Sequence, residues 1–271
     1  MKLQLEGRRA LVTGSTDGIG AEIARTLAAE GAVVAINGRN EERANRVAQE
    51  IREAGGQAAL ALADLSREGA AEALAKSAVE QLGGVDILVN NVGGRTSTEG
   101  ASDWFGVGPE TWLTTYAKNV VAPVRLIHAL TPAMVERGWG RVIQVASIVA
   151  TKPPSALGDY SASKAGSINM TLGLSKALAR TGVTVNAVSP GMIQTDSINH
   201  WLDQIGAEQG WGADRQRSEA FALKNFVDQT VRRIGRVEDV ANMVAYIASP
   251  LSDFINGVNI HVDGGQSSSL T

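Results

Sequence analysis

The stretch DYSASKAG at 159–166 places Tyr160 and Lys164 four residues apart among small side chains. In water the phenol gives up its proton only near pH ~10, and the ammonium slightly higher. Residues i and i+4 share one face of a helix, so a helix here would hold the ammonium near the phenol. A neighbouring positive charge favours the tyrosinate and lowers the tyrosine pKa. So tuned, the phenol can give a proton to a carbonyl oxygen as hydride reaches the carbon, or take it back in reverse. The alternative is an exposed helix face that merely carries Tyr and Lys, and companion residues must decide between the two.

Other residue types offer little rival chemistry. The chain has no cysteine, which excludes disulfides, thiolate metal sites and cysteine nucleophiles. His128, His200 and His261 show neither metal-ligand nor triad spacing, and no metal is expected. His128 lies in an apolar helical stretch and reads as a core or interface residue. His261 reads as structural within the last strand, while His200 is a candidate substrate contact. A net charge of −3 argues against nucleic-acid and membrane-surface partners, which favour basic patches. The opening MKLQLEGRRALV lacks the apolar core of a signal peptide. No apolar run approaches the ~20 residues needed to span a bilayer, so a soluble cytoplasmic protein is expected.

The elements that must position Tyr160 and Lys164 alternate along the chain. Apolar runs at 10–14, 32–37, 58–64, 86–91, 141–147, 183–190 and 259–265 read as strands, continuous in Val, Ile, Leu and Ala as befits burial on both faces. Helical patterns lie between them at 19–30, 41–54, 67–82, 109–136, 160–180 and 237–248. This alternation predicts one doubly wound α/β domain over 1–271, with a mostly parallel seven-stranded sheet of Rossmann type between helices. Two long excursions break the rhythm: a Gly/Ser-rich loop at 93–108 and a segment at 192–235 carrying Trp201, Trp211, Phe221 and Phe226. The second is expected to be a substrate lid, or else a surface helical hairpin packing its aromatics inward.

Ligands of an open parallel sheet bind beyond the carboxyl ends of its strands. Glycine, small polar groups or charges occupy six of the seven predicted strand ends: TGSTDGIG at 13–20, NGR at 37–39, ADL at 63–65, NNVGG at 90–94, Ser147, and SPG at 189–191. Gly14, Gly18 and Gly20 allow a tight turn into a helix, whose free N–H groups and positive dipole end suit a pyrophosphate. Their spacing differs from G-x-G-x-x-G, but their place between a first strand and an amphipathic helix predicts dinucleotide binding.

Taken in order, TGSTDGIG, NNVGG, Asn119, Ser147, YSASK, the PG at 190–191 and the terminal VDGG resemble the short-chain dehydrogenase/reductase family, and its 3-oxoacyl-carrier-protein reductase-like members most. The likeness covers essentially the whole chain. It implies a catalytic set of Asn119, Ser147, Tyr160 and Lys164, with Ser147 holding the substrate oxygen, Lys164 also binding the nicotinamide ribose and Asn119 feeding a proton relay. It further implies cofactor contacts from Gly14, Ser15, Thr16, Gly18, Ile19, Gly20, Arg39, Asp64, Leu65, Asn91, Gly93, Tyr160, Lys164, Pro190, Gly191, Ile193 and Thr195. Asp64 is otherwise a turn carboxylate and Thr195 a helix N-cap. Val92 departs from the usual Asn-Asn-Ala-Gly and adds bulk on the adenosine side. A homotetramer is implied too, with the helices at 109–136 and 160–180 as dimer contacts.

NAD-specific enzymes of this fold place an acidic residue at the end of strand two to bind the ribose 2′-hydroxyl. Here that position is Gly38, followed by Arg39. A glycine leaves room for a 2′-phosphate and a guanidinium grips one, so NADP(H) is expected over NAD(H). Asp17 in the glycine turn opposes a phosphate unless Arg39 neutralises it. The expected reaction is reduction of a ketone to a secondary alcohol, on a 3-oxoacyl-type or related carbonyl. Oxidation of a sugar, polyol or hydroxy acid is the alternative, suited by the polar loop with Arg95. A non-enzymatic cofactor sensor would have no need of the complete relay set.

Overall fold

The computed structural model describes residues 2–94 and 103–267. Arg95 and the centre of the predicted 93–108 loop lie outside the described residues. Seven strands, β1 (Arg9–Val12), β2 (Val33–Ile36), β3 (Gln57–Leu60), β4 (Ile87–Asn90), β5 (Gly140–Val145), β6 (Val183–Pro190) and β7 (Asn259–Val262), form one sheet in the order β3-β2-β1-β4-β5-β6-β7. Every pairing is parallel, with registers such as Ala10 opposite Ile87 and Val145 opposite Val188. The order reverses beside β1, where β2 lies on one side and β4 on the other, and that reversal opens the crevice for a ligand.

Alternating strand residues feed two cores. Val12, Ile87 and Val89 join α1 (Gly18–Ala29), α2 (Glu41–Glu53) and α9 (Val237–Ala248) on one face. Leu11, Leu88 and Val142 join α3 (Ala70–Leu82), α5 (Ala122–Glu136) and α6 (Gly158–Ala177) on the other. Burial on both faces explains why the strands read as unbroken apolar runs.

The stretch predicted as one helix over 109–136 is α4 (Pro109–Tyr116), a π turn (Ala117–Val121) and α5. Pro123 has no N–H to give the Asn119 carbonyl, and the Ala122 N–H reaches back five residues to the Ala117 carbonyl. The 192–235 excursion contains α7 (Asp196–Glu208) and α8 (Arg215–Asn225), with a small core of their own around Leu202, Ile205, Ala222 and Ile234. Among the described residues no helix is long and apolar enough to cross a membrane.

Candidate active site

Two cavities of about 420 and 550 Å³, both lined by Asn91 and Gly93, lie beyond the carboxyl ends of the strands. The glycine turn after β1 walls both. Gly14 has φ +63, which disfavours any side chain, and a Cβ there would meet Val92 at 2.9 Å. A Cβ on Gly20 would strike the Gly14 carbonyl oxygen, so this glycine seats α1 against the strand. Asp17 caps α1 and pairs with Arg43 at 3.2 Å, not with Arg39. Ser15 does not face the cavities. Its buried hydroxyl donates to the Val12 carbonyl at 2.7 Å and accepts from Asn37 N at 2.9 Å, locking β1 to β2.

Ile19, Val145, Ser147, Tyr160, Lys164, Pro190, Gly191, Ile193 and Thr195 all line the smaller cavity. The expected effect of Lys164 on Tyr160 is corrected here. Lys164 Nζ donates to the Val145 carbonyl at 2.7 Å and sits 5.7 Å from the Tyr160 ring centre. Burial pushes the Tyr160 phenol up from its ordinary value, and a hydrogen bond with Ser147 opposes this without winning. The lysine moves instead: burial, reinforced by the charge of Lys118, lowers its pKa to about 8. Gly93 permits this packing, since a Cβ there would lie 2.7 Å from Lys164 Nζ.

Asn119 is buried just outside the cavity lining. Its amide donates to Ser163 Oγ at 2.9 Å and the Gly94 carbonyl at 3.3 Å, and Ser163 Oγ donates to the Tyr160 carbonyl at 2.7 Å. Asn119 Oδ1 is buried and accepts nothing from the described residues. Ser163 thus joins the π turn to the helix of Tyr160, a role its place in YSASK did not reveal.

The larger cavity is lined by Thr16, Gly38, Arg39, Asp64, Leu65 and Val92, together with Lys118. Gly38 lines this cavity, and a larger residue does not fit there, because a Cβ would overlap the Thr16 side chain. Arg39 is exposed at the rim. Lys118 was not anticipated, because on an unbroken helix a lysine beside Asn119 reads as surface. Burial lowers its pKa and the nearby Arg39 charge lowers it further, while Asp64 opposes. Asp64 is held below the usual carboxylate range first by the Ser66 hydroxyl, at 2.7 Å, so it is a turn carboxylate as well as part of the wall.

The lid presents Met192, Ile193, Thr195 and Ile198 to the smaller cavity, and not its aromatics. Trp201, Trp211, Phe221 and Phe226 pack edge to face on one another at 5.4–5.8 Å. The inward-packing hairpin accounts for Trp201, Trp211 and Phe221, which pack on the small core, whereas Phe226 is 60% exposed. His200 is exposed beside Gln204 and away from the cavity, and His128 is exposed on α5 rather than in a core. Thr195 stands at the N-cap of α7 without making a cap hydrogen bond, and its methyl lies 3.5 Å from where a Gly18 Cβ would be. His261 pairs with Asn259 at 2.9 Å. Among the described residues no three His, Asp or Glu side chains converge as metal ligands.

The residues present fit a dinucleotide. Free helix N–H groups, side-chain-free approaches at the glycine turn, a buried ammonium facing one cavity and two cations facing the other match phosphates and riboses.

The family profile described as short chain dehydrogenase matches residues 8–206. The 3-oxoacyl-acyl-carrier-protein reductase FabG of Vibrio cholerae is 33% identical over 263 residues, 97% of this chain and 98% of its own. L-Sorbose reductase from Gluconobacter frateurii, solved with NADPH and L-sorbose, superposes with a TM-score of 0.91 at 27% identity, covering 100% of both chains. A 7α-hydroxysteroid dehydrogenase solved with NADH and 7-oxo glycochenodeoxycholic acid gives a TM-score of 0.83 at 30% identity, over 100% of this chain and 98% of its own.

Proposed function

The chain belongs to the short-chain dehydrogenase family, and from that premise we propose that it reduces a ketone to a secondary alcohol with NADP(H) and that Tyr160 gives the proton. The observation that carries this reading is a protonated, half-buried phenol beside Ser147 in a cavity that also holds a buried lysine. Ser147 Oγ and Tyr160 bind the carbonyl oxygen between them, and Tyr160 transfers its proton as negative charge develops there. The cofactor, when bound, supplies the hydride. Lys164 holds the nicotinamide ribose. The buried Asn119 Oδ1, which accepts nothing from the described residues, would hold a water, and that water would return the proton to Tyr160 from solvent.

Arg39 and Lys118 support NADP(H). Asp17 is engaged by Arg43, and both cations line the larger cavity, where Asp64 partly offsets their charge. FabG supports a 3-oxoacyl-type carbonyl. The likeness to L-sorbose reductase favours a second reading, a sugar or polyol ketone, with the reverse oxidation as its counterpart.

The test measures kcat/KM with NADPH and NADH against a panel of carbonyls, in the wild type, Arg39→Ala and Lys118→Met. Preference for NADPH should fall about 10–100-fold in each variant, the worth of a charged hydrogen bond. Preference for NADH in the wild type, or indifference to both substitutions, overturns the cofactor assignment. Gly38→Asp is a poor probe, since its side chain would displace Thr16 as well as bring charge.

A further inference from the structure

The side chains around the smaller cavity divide by polarity. Asn91 donates its amide to the Thr13 and Gly14 carbonyls at 2.9 and 3.2 Å, Thr195 stands beside Gly18, and Lys164 lies against Gly93. These polar residues gather at the glycine turn and the end of β4, where the dinucleotide fits. A second group is aliphatic: Ile148 and Val149, which follow Ser147, and Met192 and Ile198 from the lid. Gln266 lines the cavity too, from a loop held by the Asp263 carboxylate, which accepts from Gly265 N at 2.9 Å and Ser267 N at 2.8 Å. The Gln266 amide oxygen is closed off from the cavity.

The aliphatic wall is set before any substrate arrives. Ser147 Oγ accepts from Val149 N at 3.4 Å and caps the short helical turn Ile148–Ala150, which holds Val149 close to the serine. The Met192 carbonyl accepts from Gly235 N at 3.0 Å, and the Gly235 carbonyl accepts from Gln194 N at 2.7 Å, so Met192 is fixed to the base of the lid. Met192 and Ile198 also pack on the small core of α7 and α8. With Ser147 and Tyr160 engaged by the reacting carbonyl, this wall offers an incoming arm no charge and at most the Gln266 amide nitrogen. A hydroxyl or carboxylate set against it would give up its water with little in return, whereas each methylene gains by leaving water.

We propose that Val149, Met192 and Ile198 are specificity-determining residues that receive an unsubstituted alkyl arm of the ketone. The substrate class is then an alkyl ketone, the alkyl-bearing 3-oxoacyl type included, and not a ketose or another polyhydroxy ketone. The inference rests on the ketone-reductase reading and selects between its two substrate classes.

The test compares the full-length wild type, Val149→Ala, Met192→Ala and Ile198→Ala with NADPH on acetone, 2-butanone, 2-pentanone, hydroxyacetone and L-sorbose. In the wild type kcat/KM should rise about 10-fold from acetone to 2-pentanone, as two methylenes leave water. Hydroxyacetone carries a hydroxyl where 2-butanone carries a methyl, and it should be the poorer substrate of that pair; L-sorbose should be poorer than 2-pentanone. Each variant should lower kcat/KM on 2-pentanone by about 10-fold and change acetone, whose arm is too short to use the wall, by less than about threefold. A fall shared equally by acetone and 2-pentanone, or no fall in any variant, overturns the inference while leaving the reductase intact. So does a wild-type preference for hydroxyacetone over 2-butanone or for L-sorbose over 2-pentanone. Failure of the wild type to reduce any of these ketones overturns the reductase reading and the inference together.

Discussion

The proton on Tyr160 is governed by burial, which holds it, and by the Ser147 hydrogen bond, which loosens it; burial prevails. A phenol kept protonated through the neutral range is ready to act as an acid for reduction, whereas the reverse oxidation needs tyrosinate. Reduction should therefore be sustained at neutral pH, and oxidation of the product alcohol should climb steadily as pH rises toward the tyrosine pKa. Initial rates in the two directions between pH 6 and pH ~10 check this; an oxidation rate independent of pH would remove Tyr160 as the base. Tyr160→Phe deletes the proton and keeps the ring, so turnover should drop about 10²–10⁴-fold while NADPH affinity stays within a few-fold. A variant retaining a third of wild-type turnover contradicts the assignment. Lys164 titrates near 8 in the cofactor-free protein and is charged below that pH. Affinity for the anionic cofactor should weaken as pH rises through about 8, and Lys164→Ala should bind more weakly and lose that break. Stability runs the other way: above about 8 the unfolded chain binds this proton more tightly than the folded one, so the group's contribution rises with pH up to the ordinary lysine value. Calorimetric titration and thermal unfolding over the same buffers separate the two effects.

Among the elements, the pair α7 and α8 combines a small core of its own with few ties to the sheet. Trp201, Trp211 and Phe221 pack against that core, and the cavity is met by Met192, Ile193, Thr195 and Ile198. Gly210 and Gly212, both with positive φ, join the two helices. A unit with so little shared core opens locally more readily than the sheet. Limited proteolysis should cut first within residues 209–217 in the cofactor-free protein, and saturating NADP(H) should slow that cut. Equal cleavage rates with and without cofactor would mean that these helices do not close on it. The π turn is the complementary case: Pro123 holds it open, and through it Asn119 reaches Ser163 while Lys118 faces the larger cavity.

At the scale of the molecule, apolar surface remains uncovered. Trp104, Val107, Pro109, Trp112, Leu113 and Tyr116 line an open cleft of about 680 Å³ beside α4, with Leu113 65% exposed. Phe254 is fully exposed, and Leu172, Leu251 and Val258 are each exposed as well. Patches of this kind mark association surfaces, and we expect a homotetramer that covers them. Light scattering after size exclusion should give about four times the chain mass. Leu113→Glu should shift the protein toward smaller species, and a wild-type monomer at micromolar concentration would refute the assembly.

The sequence by itself determined the architecture and the cluster of strand ends. Strands buried on both faces must be continuously apolar, and the residues that break such runs collect where chain meets ligand. It also offered Ser147, Tyr160, Lys164 and Asn119 as candidates, through the resemblance of their motifs to a family rather than through any one strand end, since Asn119 lies in the π turn and Tyr160 and Lys164 in α6. The tertiary structure decided what depends on neighbours distant in the chain. Burial set the directions of the Tyr160 and Lys164 pKa shifts, since desolvation outweighed a charge aimed elsewhere. Thr16 left no place for a side chain at Gly38, Val12 and Asn37 consumed the hydroxyl of Ser15, and the lid aromatics found one another. Lys118 and Gln266 entered the site through a proline-opened turn and a carboxylate-held loop. Local spacing records which faces a segment can present; only the packed fold decides which atoms are left facing the cavity.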